Sequence, residues 1–94
     1  MNERAKQLMD FIDLAANEKE IQEDQELFMQ LVDCRQRLNN NESVNFVSVR
    51  LRPYVSRYLV ANKYQAPKSL MNVATEIGQR SANYVGHAQA ATAF

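Results

Sequence analysis

The chain has 94 residues, which sets the expectation of one domain with one modest core. Hydrophobic residues make up 46% and charged residues 23%, proportions that exclude disorder along the whole chain. Formal net charge is zero, so no global pull toward nucleic acid or an anionic membrane exists.

Residues 3–16 form the first predicted helix. Leu8, Phe11, Ile12 and Ala15 recur at helical spacing, with Lys6, Asp10 and Asp13 on other faces. A second helix is predicted over 20–39. Two residues compete to start it: Asn17, with Glu20 three positions on as in a capping box, and Asp24. Leu27, Leu31, Cys34 and Leu38 alternate spacings of four and three, the pattern of a bundle seam, and Phe28 and Val32 widen that stripe. Asn39, Asn40 and Asn41 end it.

Residues 44–63 are ambiguous. Val47, Leu51, Val55, Tyr58 and Leu59 follow the helical period, yet Val47, Val49 and Leu51 also alternate with polar residues as in a strand. No second strand candidate exists to pair with one here, so a helix is predicted, kinked or frayed at Pro53. The fourth helix is predicted over 67–85, with Pro67 as its first residue. Leu70, Val73, Ala74, Ile77, Ser81, Tyr84 and Val85 face inward, and small Ala74 and Gly78 allow a neighbouring helix to approach closely. Gly86 ends this helix, and residues 87–94 read as a flexible C-terminal tail. The fold class is therefore all-α: an antiparallel four-helix bundle over residues 1–86, with short loops. Two Gly and two Pro are too few for the turns of an all-β sandwich, which agrees.

Charge is split along the chain. Residues 1–42 hold ten acidic and five basic residues, whereas 43–94 hold one acidic and six basic. Either the two halves attract each other within the molecule, or Arg50, Arg52, Arg57, Lys63, Lys68 and Arg80 offer a basic surface to a partner. Arg50 and Arg57 are seven apart and share one helical stripe, with Tyr54 beside them.

Nothing in the sequence assembles a catalytic or metal constellation. His87 is the only histidine and lies in the tail. Cys34 sits on the apolar seam as a small hydrophobe, and a single cysteine excludes an internal disulfide or a cysteine-cluster zinc site. Glu23, Asp24 and Glu26 suit the positive end of a helix dipole without any site. No phosphate loop is present, and no metal or cofactor is expected. Small helical chorismate mutases have similar lengths, and Phe11-Ile12-Asp13-Leu14 is faintly similar to their first helix, but they bind a dicarboxylate with several arginines and a lysine on long helices, and the first helix here has only Arg4 and Lys6. The N-terminal MNERAKQLMD lacks the apolar core of a signal peptide, and no run approaches the roughly 18–20 apolar residues of a membrane span. The expectation is a cytoplasmic protein that is not an enzyme.

The stretch from Arg50 to Lys63 resembles immunity proteins against pediocin-like bacteriocins, the enterocin A immunity type. The resemblance is carried by Arg50-Leu51, Tyr54 and Asn62-Lys63, by Thr75-Glu76-Ile77-Gly78-Gln79-Arg80 in the fourth helix, and by Ala5-Lys6-Gln7 near the start. Pro53 departs from the pattern, and the link from Lys63 to Glu76 is a few residues short.

The resemblance implies a non-catalytic cytosolic protein that protects a cell from a membrane-permeabilising peptide. It implies action on the mannose phosphotransferase permease with bound bacteriocin, from the inner face of the membrane. It further implies that specificity lies in the C-terminal half, which points to Arg80, Tyr84, His87 and Phe94 beside the basic Arg50, Arg52, Arg57 and Lys63. The alternative function is a small helical regulator that binds protein or nucleic acid through Arg50, Arg52 and Arg57.

Overall fold

The computed structural model describes residues 3–85, all of its regular structure helical. Among the described residues there are five helices: α1 (Glu3–Ala16), α2 (Lys19–Gln22), α3 (Gln25–Asn39), α4 (Val44–Ala61) and α5 (Lys68–Val85). The expected tail, residues 87–94, lies outside the described residues.

The single helix expected over 20–39 is in fact two. Of the competing starts, Asp24 wins: its carboxylate accepts a hydrogen bond from the Leu27 backbone N–H at 3.1 Å. That satisfies one of the four unpaired donors of the first turn of α3. The capping box at Asn17 does not form. The residue before α2 is Glu18, with no side-chain cap, and α2 is a single turn. Its Ile21 is nevertheless fully buried, so the turn pins the α1–α3 connection to the core.

α4 begins where Ser43 accepts from the Phe46 N–H at 3.3 Å. It runs through Pro53 without interruption and stops at Ala61, two residues earlier than expected. Lys63 and Tyr64 both adopt left-handed φ, 55° and 62°, which no continuing α-helix can contain. Pro67 lies just before α5 instead of inside it, and its carbonyl accepts from Met71 N–H at 3.1 Å.

The core follows the periodicity read from the chain. Leu8, Ile12 and Ala15 of α1 are buried, with Phe11 packed half-buried against them. The α3 seam of Leu27, Leu31, Cys34 and Leu38 is fully buried. The seam is narrower than expected: Val32 is 48% exposed and Phe28 only partly covered. Val47, Leu51, Val55, Tyr58 and Leu59 of α4 meet Leu70, Val73, Ala74 and Ile77 of α5 in the same cluster. Burying each large aliphatic side chain contributes about 1.5–3 kcal/mol before entropy is counted.

Each long helix packs on two others: α1 on α3 and α5, α4 on α3 and α5. The contact between α4 and α5 is the most extensive, and Gly78 is buried within α5. The side chains of Ser81, Tyr84 and Val85, also expected to face inward, lie outside the described part of α5. At the other end of that helix, Ser69 Oγ donates to Glu18 Oε2 at 3.4 Å, tying the start of α5 to the turn between α1 and α2.

Candidate functional site

α4 organises the candidate residues. Phe46, Arg50, Pro53, Arg57 and Val60 are all exposed and fall at alternating spacings of four and three. They form one outward stripe, opposite the buried seam of Val47, Leu51, Val55 and Tyr58. Phe46 is 47% and Val60 62% exposed, so apolar and cationic side chains alternate along the helix.

Arg52 does not join this stripe. Two positions along a helix turn it by about 200°, and Arg52 is half-buried on another side. Lys63 stands beyond the helix end, exposed in the left-handed turn. The structure thus brings Arg50 and Arg57 together and separates Arg52 and Lys63 from them. Arg80 and Tyr84 belong to the α5 backbone, but their side chains are not described, and His87 and Phe94 lie outside the described residues.

Both stripe arginines are engaged within the molecule. Arg50 Nε lies 3.5 Å from Asp33 Oδ2. Arg57 pairs with Glu26, and its guanidinium also sits 5.7 Å from the centre of the Tyr54 ring. These two pairs join the basic half of the chain to the acidic half, the intramolecular reading of the charge split. They also show that α3 and α4 run in opposite directions along this contact. Glu26 therefore does more than favour the N-terminus of α3.

A wider network surrounds them. Arg37 Nε donates to Asp33 at 2.8 Å and Arg37 Nη1 approaches Glu42 at 3.3 Å. The Arg37 hydrogen bond, helped by Arg50, holds the Asp33 carboxyl below its ordinary value. The same bonds to Asp33 and Glu42 raise Arg37. On the α1 side Arg35 Nε donates to Asp13 at 2.8 Å, which raises Arg35. Exposed pairs of this kind contribute little and weaken with salt, so they set geometry more than stability.

α3 adds an uncharged neighbour to the stripe. Met29 is 66% exposed and lies between Glu26 and Asp33 on the same side of the helix. The face is therefore apolar in patches and electrically neutralised in between. Such a face does not repel an apolar partner and offers a polyanion little free positive charge.

Sequence reasoning missed one feature. Glu20, Glu23, Asp24, Gln25, Tyr58 and Asn62 line an open depression of about 510 Å³. Burial, and after it the carboxylates of Glu20 and Asp24, push the Tyr58 hydroxyl above its usual value. Only the fold brings the α2 carboxylates to the end of α4, so no local spacing could have signalled it.

Burial pushes the Cys34 thiol up to about 11, with the nearby Asp33 charge adding to it. That is the environment of a structural thiol, not of a nucleophile. Among the described residues, no group of three or more His, Cys, Asp and Glu could hold a metal ion. No described helix is long and apolar enough to cross a membrane.

No curated protein and no solved structure matches the chain. The model of the bacteriocin immunity protein family, however, matches residues 3–82. That span takes in all of α1 to α4 and most of α5, including every described residue of the α4 stripe. An all-helical chain matched over that length, with the Arg50–Lys63 and Thr75–Arg80 segments inside the match, belongs to the bacteriocin immunity protein family.

Proposed function

We propose that this protein protects a cell against a pediocin-like, pore-forming bacteriocin and does so without catalysis. The observation that carries this is the family match over residues 3–82, which includes both segments bearing the pediocin-immunity resemblance, Arg50–Lys63 and Thr75–Arg80. On this reading the protein works in the cytoplasm. It acts at the inner face of the membrane on the mannose phosphotransferase permease that has bound the peptide, and blocks the lethal pore. The four long helices serve as an antiparallel bundle over residues 1–86, with 87–94 as its tail.

The contact surface proposed is the α4 stripe of Phe46, Arg50, Arg57 and Val60, with Lys63 a separate cation in the turn beyond the helix. Specificity is assigned to Arg80, Tyr84, His87 and Phe94, as the resemblance implies. The regulator alternative loses support, because Arg50 and Arg57 are paired in cis and Arg52 faces elsewhere.

The test is expression in a bacteriocin-sensitive lactic acid bacterium, followed by titration with a panel of pediocin-like peptides. A large rise in tolerance to some peptides and not others is expected. Unchanged tolerance to the whole panel, with folded protein verified in the cytosol, would overturn the pediocin-like assignment. The receptor is tested separately. Affinity-tagged protein should retain the permease from cells exposed to a countered peptide and not from unexposed cells.

A further inference from the structure

We infer that α4 has a hinge at Pro53 and that two ion pairs to α3, one on each side of the proline, hold it closed. Three observations converge on this point of the helix.

Pro53 sits inside α4, nine residues from Val44, where the helix should be most regular. Its ring nitrogen has no hydrogen to donate, so the Val49 carbonyl loses its helical partner, and the ring crowds that same carbonyl. Helices bend sharply at such points and seldom elsewhere.

Gln30 is the α3 residue at the same level. The Arg57–Glu26 and Arg50–Asp33 pairs share one antiparallel register, and that register sets Gln30 of α3 opposite Pro53 of α4. The Gln30 Oε1 is buried and has no hydrogen-bond partner. At this level the Gln30 amide oxygen is buried without a donor, and the Val49 carbonyl lacks its helical one. Such a layer adds little cohesion.

The ion pairs bracket this weak layer. Arg50 precedes Pro53 by three residues and reaches Asp33; Arg57 follows it by four and reaches Glu26. Arg57 is further steadied over the Tyr54 ring. Each arm of α4 is thus fastened to α3 on its own side of the proline. A partner group that draws either guanidinium away from α3 opens the clamp and lets α4 bend. Docking on the stripe and loosening of α4 are then one event.

Amide hydrogen exchange on the full chain at low salt tests this, and its failure would leave the immunity assignment standing. In the double variant Glu26→Gln and Asp33→Asn, amides between residues 50 and 57 should exchange about fivefold faster, with those of Leu8 and Ile12 in α1 unchanged. Adding Pro53→Ala to that background should restore protection. If the double variant does not fold, wild type and Pro53→Ala are compared on raising salt to about 1 M, where screening falls to about 3 Å. The local rise should then appear in wild type alone. Unchanged exchange, an equal rise in all helices, or a local rise that persists with Pro53→Ala would overturn the hinge.

Discussion

Arg50 of α4 and Asp33 of α3 stand 3.5 Å apart, and Asp33 also accepts from Arg37 one turn along its own helix. One carboxylate thus serves two guanidinium groups from different helices. The Arg37 hydrogen bond is the main reason its pKa lies below 3.8. A group depressed in the folded state adds stability above its unfolded value and loses it as pH falls through the folded one. Urea midpoints of wild type and Asp33→Asn should therefore differ at pH 7 and converge as pH is lowered past 3.8. A difference that persists undiminished at the acid end would show that Asp33 acts through packing and not charge.

The Cys34 thiol, fully buried and raised to about 11, should resist a thiol reagent at pH 8 in the native protein and react at once in denaturant. The sign for stability is opposite to that of Asp33. A folded thiol raised above its unfolded value leaves stability intact at lower pH. Stability then falls as pH climbs past the ordinary value of 9.0 toward 11. Cys34→Ser should flatten that alkaline decline.

Asp24→Ala should destabilise the protein by about 0.5–2 kcal/mol, because it removes the cap that starts α3. Asn17→Ala, at the rival position, should change stability by less than about 0.5 kcal/mol. Chemical denaturation of the two variants compares them directly. Equal losses would mean that the α2 turn depends on Asn17 in a way its backbone does not reveal.

Gly78→Leu should cost on the order of 1–3 kcal/mol by overpacking, since Gly78 is buried in the helix that makes the broadest contact with α4. Thermal melting reads this. An unaltered midpoint would show that α5 has room at Gly78 for a branched side chain.

Removing residues 87–94 should leave helical content and thermal midpoint nearly unchanged but alter protection against individual bacteriocins. Circular dichroism and the tolerance assay together check this. A collapse of the melting transition would make the tail part of the core.

Much of the fold was legible because burial and helical period coincide. Leu27, Leu31, Cys34 and Leu38 lie on one face at any register of α3, so their burial needed no knowledge of neighbours. The break between α2 and α3 was less legible. Asn17 and Asp24 both carry cap chemistry, and which carboxylate or amide meets a free N–H depends on where Ile21 finds its pocket. The outward turn of Val32 was not legible either. Its apolar side chain is compatible with the seam, and only the positions of α1 and α4 leave it uncovered.

The candidate site divides in the same way. Periodicity alone placed Arg50 and Arg57 on one stripe and could have separated Arg52 from it. The sequence by itself determined an all-helical chain, the core positions of its long helices and, through short motifs, its family resemblance. These depend on local spacing and residue chemistry. Only the tertiary structure decided that the stripe arginines are neutralised by Glu26 and Asp33, that Gln30 stands level with Pro53, and that Glu20, Glu23 and Asp24 share a depression with Tyr58. Those relationships join residues far apart in the chain, and only the packing register of one helix against another can set them.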